Sequence, residues 1–297
     1  MILVTGATGF IGKELTQNLL SKGHKVKVLC RDEEKAKEIF PKADVFRGDL
    51  SQPETLKSAA KGVETVVHLA GMVSYSRPRE EIFSANVETT RNLLAECRNV
   101  KRIVFSSSVS VYGEVREKAD EYYPLGPANA YGQSKLECER LIESSGIPYI
   151  MLRIAPIYGK GSPSWGKNLR LLEKGFPVPK TKNLTHVVHI SDVVQALEKS
   201  VKAGRDRKGI YNIAGSRPLP FVSFAEDIMK LLGKKPRRMP MFVVKGIAKG
   251  MGMGAYFDVL TMNRNYVIRK AGKDLGYAPK AEFKKKLKEM VEWYMAL

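Results

Sequence analysis

Residues 4–15 read VTGATGFIGKEL, with Gly6, Gly9 and Gly12 in phase. An apolar run, MILVT, precedes them, and Ile11, Leu15 and Leu19 follow at helical spacing up to Gly23. The chain is thereby predicted to leave a strand, turn tightly and start a helix at once. Only glycine lets the backbone of such a turn come close to a diphosphate, while the helix N-terminus adds partial positive charge. An ordinary strand-to-helix turn does not need three glycines in phase. The unit is therefore read as a dinucleotide-binding turn.

The rest of the first half repeats the alternation. Strands are predicted at 25–30, 43–50, 65–71, 102–108 and 149–155, with helices at 32–40, 53–62, 86–97 and 130–146 between them. Short apolar strands alternating with helices imply an α/β fold, a parallel sheet covered on both faces. The regularity breaks after about Pro156. Residues 185–190 and 209–215 read as further strands around a capped helix and are expected to return to the sheet. This divides the chain into a dinucleotide-binding domain, 1–155 with 186–215, and a substrate-binding part, 156–185 with 216–297. The last helix is expected to bury Phe283, Leu287, Met290, Val291 and Tyr294.

Composition narrows the setting. No run of 18 apolar residues occurs, so no membrane-spanning helix is expected. The initial Met leads straight into a strand-like run, which suggests a cytoplasmic rather than a secreted protein. Cys30, Cys97 and Cys138 are scattered, and His186 and His189 in HVVH are expected to point apart, so no metal site is expected. The net charge is +19, and residues 216–297 carry 17 Lys or Arg against 7 Asp or Glu. That excess suits an anionic ligand or membrane, or simply a solvated lysine surface. No nucleic-acid motif accompanies it, and no nucleic-acid partner is expected.

Tyr131 and Lys135 stand four apart in NAYGQSKLECER and share a helix face. A free tyrosine titrates near about 10, and a neighbouring cation lowers that value. The pair is either a solvated face or a proton-transfer device. The upstream triplet SSS, Ser106 to Ser108, ends a strand beside the crevice where such sheets bind ligands. An acidic residue at the end of strand two selects NAD; here Cys30 is followed by Arg31, with Lys35 one turn on. Arg31 can fork onto a 2′-phosphate, which favours NADP, or stack on adenine, which leaves NAD usable. Asp32 lies one residue later and is read as a helix cap.

The G-x-x-G-x-x-G spacing together with YGQSK resembles the extended short-chain dehydrogenase/reductase family, also described as NAD-dependent epimerases/dehydratases. GDL at 48–50, HLAG at 68–71, NVETTRNLL at 86–94, FSSSVSVYG at 105–113, LRIAPIYG at 152–159 and VVHISDVVQAL at 187–197 follow in that family's order. The resemblance implies a Rossmann-type doubly wound parallel sheet with a smaller, mostly helical C-terminal substrate-binding part. It implies cofactor contacts at Gly6, Thr8, Gly9, Phe10, Ile11 and Gly12. Asp49 and Leu50 would flank the adenine, and Leu69, Ala70 and Gly71 would line the path to the nicotinamide ribose. Asn86 and Pro156 complete the set with Tyr131 and Lys135.

By the same resemblance Ser108, Tyr131 and Lys135 are catalytic: Lys135 holds the ribose and tunes Tyr131, which exchanges a proton with a substrate oxygen. Ser106 and Ser107 are read as local backbone partners, with Ser110 as the fallback for Ser108. The reaction implied is hydride transfer between NAD(P) and a secondary alcohol or ketone. A nucleotide-sugar 4-epimerase with retained NAD, and a non-catalytic NADP-binding structural or sensor protein, are the alternatives. Val109 and Ser110 after Ser108 do not match a 4,6-dehydratase. The methionine-rich, basic stretch 237–257 and the ending resemble the 3β-hydroxysteroid-dehydrogenase-like or dihydroflavonol-reductase-like branch. That stretch is either a core helix or a lipid contact, and Arg264, Arg269 and residues 234–238 are candidates for binding a diphosphate. A homodimer through 86–97 and 130–146 is expected.

Overall fold

The computed structural model describes residues 1–204 and 206–297. The alternating runs form β1 (Ile2–Thr5), β2 (Val26–Cys30), β3 (Asp44–Arg47), β4 (Thr65–His68), β5 (Arg102–Ser108) and β6 (Tyr149–Ile154). Gly209–Ile213 adds β7. The order across this seven-stranded sheet is β7-β6-β5-β4-β1-β2-β3, every pair parallel. It is a Rossmann-type sheet, and its strand order reverses between β1 and β4.

Successive residues of β1 face opposite sides. Ile2 and Val4 join a cluster with Leu15, Leu19, Val193 and Leu197, whereas Leu3 joins one with Leu93, Ile103, Phe105 and Ile142. The first cluster uses α1 (Phe10–Ser21) and α7 (Ile190–Lys202). The second uses α4 (Thr89–Glu96) and α5 (Ala130–Ser144). Both faces are covered, which is why the strands read as continuous apolar runs rather than alternating ones. Removing one such side chain, as in Leu3→Ala, costs about 2–5 kcal/mol. The remaining helix of this half is α2 (Glu33–Ile39), capped by the Asp32 carboxylate, which accepts from the Lys35 amide at 3.0 Å.

Three expectations need correction. Residues 53–62 form only a single 3₁₀ turn, Pro53–Leu56, because Ser58 adopts a left-handed φ of 69° that no helix accommodates. The predicted helix at 86–97 begins earlier, as α3 (Arg79–Phe83), and passes through a π turn, Ser84–Glu88, into α4. Residues 185–190 do not return to the main sheet, since β7 already occupies the edge of β6. Instead Val188–His189 pairs with Ile157–Tyr158, and Leu184–Thr185 pairs with Leu219–Pro220.

The C-terminal part is mostly helical: α6 (Pro163–Glu173), α8 (Phe221–Leu231), α9 (Met241–Gly250), α10 (Gly254–Thr261), α11 (Arg269–Leu275) and α12 (Phe283–Met295). Helix α12 buries Leu287, Met290 and Val291 among Trp165, Leu169, Phe224 and Ile228, with Phe283 and Tyr294 half-buried at the margin. The stretch 237–257 is not one helix: Gly252 at φ 69° breaks it between α9 and α10. Residues 263–267 strap this part to the loop after β5, through Val115 N to Asn263 O, Ala119 N to Asn265 O and Val267 N to Ala119 O.

Candidate active site

The glycine turn follows β1 at the carboxyl edge of the sheet. Gly6 has φ 67°, and a Cβ there would lie 2.7 Å from the Ala70 amide nitrogen. At Gly12 a Cβ would lie 2.1 Å from the Gly6 carbonyl oxygen, so α1 packs directly onto the turn. Gly9 caps α1 without any side-chain hydrogen bond and lies exposed beside Thr8, with Phe10 and Ile11 half-buried after it. The helix thus presents its first amides at the end of the sheet where its dipole favours an anion. This cradle fits a dinucleotide diphosphate.

At the end of β2, Arg31 and Lys35 are exposed. Burial, with Glu33 and Asp32 adding to it, pushes the Cys30 thiol up, so the position that would carry an acid stays neutral. Asp49, beyond β3, is held below the usual carboxylate range by the Ser51 amide first, with the Ser51 hydroxyl and Arg31 adding to it. Arg31 is thus near enough to Asp49 to act on its charge. Leu50 next to it is buried, its carbonyl accepting from Asn92 at 2.9 Å.

Beyond β4, Leu69, Ala70 and Gly71 line the opening between Gly6 and α5. A Cβ at Gly71 would lie 2.9 Å from Asn86 Oδ1 and 3.4 Å from Lys135 Nζ. Asn86 sits in the π turn, a feature frequent at functional sites. Its amide is taken up by the walls: Oδ1 accepts from Met72 N at 2.6 Å, and Nδ2 donates to Met72 O at 3.0 Å and Ser134 at 2.9 Å. It clamps the loop after β4 to α5. His68 bridges Thr5 at 2.7 Å and Thr90 at 3.0 Å, and burial, with Lys135 nearby, lowers it to about 3. Pro156 is half-buried after β6, its carbonyl accepting from Val188 N at 3.0 Å.

The three serines at the end of β5 each meet a different turn of α5. The Lys135 ammonium donates to the Ser106 carbonyl at 2.9 Å and lies 4.7 Å from the centre of the Phe105 ring. The Ser107 hydroxyl donates to Glu139 at 2.5 Å. Ser108 faces Tyr131. Helical spacing of four aligns Tyr131, Lys135 and Glu139 against consecutive strand residues. Ser107 is thus no backbone partner, and Ser106 serves through its carbonyl. Ser110 stands 3.1 Å from the Ser108 hydroxyl.

Tyr131 and Lys135 are both buried, so this helix face is not a solvated one. Burial pushes the Tyr131 hydroxyl above the ordinary tyrosine range and Tyr75 adds to this, while the Ser108 hydroxyl pulls it back. Burial lowers Lys135, and Cys138 and Glu139 oppose that. Glu139 is in turn locked to Arg153 at 2.7 Å, both side chains no more than 3% exposed. Arg153 also donates to the Tyr112 hydroxyl at 3.0 Å, which donates to Asn212 at 2.8 Å.

Residues outside the sequence-based set complete the surroundings. The Tyr75 ring stands edge-on to Tyr131, centroids 5.8 Å apart, and 6.2 Å from Tyr256. Tyr256 donates to Asn168 at 2.6 Å, and both line an apolar cleft open to solvent. Leu172, Phe176, Ile228 and Met253 form other parts of its wall. Two of the candidate diphosphate ligands, Arg264 and Arg238, are committed elsewhere. Arg264 is buried and caps α10 by donating to the carbonyls of Leu260 at 3.1 Å, Met262 and Val259. Arg238 donates to Glu226 through Nε and Nη2. Arg269, Lys234, Lys235 and Arg237 are exposed. Tyr75 lies in a loop without periodicity, and no sequence signal separated Tyr256 from a core aromatic.

Among the described residues no cluster of His, Cys, Asp or Glu could hold a metal. His186 is engaged by the Gly215 carbonyl and the Tyr266 amide, and His189 by Ser191. No helix among the described residues is long and apolar enough to cross a membrane.

Residues 2–214 match the family model described as the NAD dependent epimerase/dehydratase family. A 3-beta-hydroxysteroid dehydrogenase of Mycolicibacterium neoaurum is 25% identical over 100% of this chain and 92% of that one. The N-acetyl-alpha-D-glucosaminyl-diphospho-ditrans,octacis-undecaprenol 4-epimerase of Escherichia coli O157:H7 is 28% identical over 88% of this chain and 80% of that protein. Among solved structures, the UDP-glucose 4-epimerase of Thermus thermophilus in complex with NAD superposes with a TM-score of 0.78. It is 25% identical and covers 99% of this chain and 98% of its own.

Proposed function

The chain belongs to the NAD dependent epimerase/dehydratase family, and from that premise we propose that it reduces or oxidises an apolar ketone or secondary alcohol with NADP. The observation that carries the reading is the apolar cleft, whose Tyr256 touches Tyr75, which in turn stands against Tyr131. A substrate body held there is apolar, and its oxygen is directed to the end of β5 where Ser108 and Tyr131 meet. The commitment of Arg264 and Arg238 to other partners supports the same reading against a nucleotide sugar.

The turn of Gly6, Gly9 and Gly12 holds the diphosphate, Asp49 and Leu50 flank the adenine, and Arg31 with Lys35 takes the 2′-phosphate. Asn86 keeps the wall at Gly71 in place, and Lys135 holds the ribose hydroxyls. A bound nicotinamide supplies or accepts the hydride at the substrate carbon. Ser108 donates a hydrogen bond to the substrate oxygen. Tyr131, kept protonated by its burial, donates its proton to that oxygen as the ketone becomes an alcohol, and takes it back in the reverse direction. The phenolate left behind shares a helix face with the Lys135 ammonium, which favours it electrostatically. Tyr75, Tyr256 and the walls of the cleft exclude water from the exchange.

A 4-epimerase is the second reading, favoured by the likeness to an NAD-bound UDP-glucose 4-epimerase. The two differ in how the cofactor behaves. A dehydrogenase purifies largely free of dinucleotide and consumes NADPH when given hydrophobic ketones. Release of tightly held NAD on denaturation, with isomerisation of a UDP-hexose and no added cofactor, would replace the first reading by the second.

A further inference from the structure

Residues 228–257 carry seven Lys or Arg and no Asp or Glu. Within this stretch α9 buries Val244 and Ala248 against Phe257, with Phe176, Met239 and Met241 at the seam. Its outer side is apolar too. Phe242 is 77% exposed, Ile247 39%, and Met251 just beyond the helix 53%. At helical spacing Phe242, Val243, Gly246, Ile247 and Gly250 share that side, with Lys245 and Lys249 along its edge. A helix that meets water on its outer face is ordinarily polar there.

The charge of the stretch is one-sided. Arg238 and Lys245 are drawn to Glu226 and Asp258, at the two ends of the stretch. Lys249 on α9, and Lys234 and Lys235 in the chain leading into it, are exposed and form no ion pair among the described residues. An apolar face edged by the unpaired Lys249 and by Lys245, in a 30-residue stretch with no carboxylate of its own, complements a lipid surface bearing anionic headgroups. We propose that the outer face of α9 docks the protein onto an anionic lipid surface. Phe257, against which the inner face of α9 packs, also lines the apolar cleft. The cleft therefore lies one helix away from the docked surface, positioned to take an apolar alcohol from the bilayer. That link rests on the proposed substrate class; the docking does not.

The test sediments the full chain with phosphatidylcholine vesicles containing phosphatidylglycerol, and with phosphatidylcholine alone. The expected result is at least tenfold tighter binding to the anionic vesicles, weakened by salt. The double variant Phe242→Ser, Ile247→Ser should lose at least tenfold of that binding and Lys249→Glu a smaller part, with melting temperature and NADPH affinity unchanged. Equal sedimentation of wild type and double variant, or no binding to anionic vesicles, overturns the proposal. So does a wild-type dimer that the double variant converts to monomer without any vesicle binding, which would make α9 a contact between copies. Vesicle binding reads no turnover, so a wrong substrate class leaves it intact, and its failure leaves the dehydrogenase reading standing.

Discussion

The two sides of Tyr131 are made of different material. On one side the dinucleotide cradle is backbone: a Cβ at Gly12 would meet the Gly6 carbonyl at 2.1 Å, and one at Gly6 the Ala70 amide at 2.7 Å. On the other the cleft is side chains, Trp165 of α6, Phe224 of α8 and Tyr256 of α10 among them, with Met253 from the turn before α10. A diphosphate and a ribose are the same in every dinucleotide, so fixed backbone geometry can serve them. An apolar substrate is recognised by shape, which side chains supply and can change one at a time. The difference predicts that substitutions on each side damage separate quantities.

The largest effect is expected where the sides meet. Tyr131→Phe should lower turnover about 10²–10⁴-fold while leaving NADPH binding within about twofold of wild type, the scale of a lost acid–base group. Titration by cofactor fluorescence alongside steady-state rates checks this; comparable losses in both would return Tyr131 to a structural role. Next comes Glu139→Gln, which breaks the buried pair with Arg153 and should cost about 3–5 kcal/mol in denaturant unfolding. It also removes the carboxylate that opposes the burial of Lys135. The alkaline limb of the rate profile should accordingly move to lower pH, a shift that loss of stability alone does not produce.

Met253→Glu places a carboxylate in the cleft. It should raise the KM of an apolar ketone about tenfold or more through the cost of burying charge, with NADPH affinity unchanged. Arg31→Ala reverses the pattern: NADPH binding weakens about tenfold, as for one lost charged hydrogen bond, while NADH binding holds. If Met253→Glu impaired cofactor binding, or Arg31→Ala raised the ketone KM alone, the division between the two sides would fail.

Acid stability gives the smallest and most diffuse signal. His68, His186 and His189 are buried and lowered to about 3, 4 and 4, chiefly by burial. Their folded values lie below the unfolded one of about 6.5. The unfolded chain therefore binds more protons as pH falls, and stability present above about 6.5 is lost progressively toward about 4. A melting temperature that stays flat over that window would contradict it.

Legibility in the sequence followed the same division. The cradle was visible because glycines in phase after an apolar run admit few other purposes, and the inner strands because strands buried on both faces read as continuous apolar runs, whereas the edge strand β3 is only half-buried. Asp32 as a cap was legible from its position one residue past Arg31. The pairing of Ser107 with Glu139 was not, since it joins residues 32 apart through the packing of α5 on β5. Nor was the fate of residues 185–190, whose strand-like pattern is real but whose place at the sheet edge β7 takes. Tyr75 and Tyr256 gave no periodic signal that the first packs on Tyr131 and the second on Tyr75. Arg264 looked available for an anion until the end of α10 was seen to use it.

Isotope transfer decides whether Tyr131 protonates an apolar ketone beside a bound NADPH. The protein is incubated with NADPH deuterated at the transferable position and with a panel of hydrophobic ketones, and the alcohols are examined by mass spectrometry. The expected result is deuterium on the carbinol carbon for at least one apolar ketone, formed about 10²-fold or more slowly by Tyr131→Phe under the same conditions. Deuterium-free alcohols throughout, or equal transfer by the Tyr131→Phe variant, would contradict it.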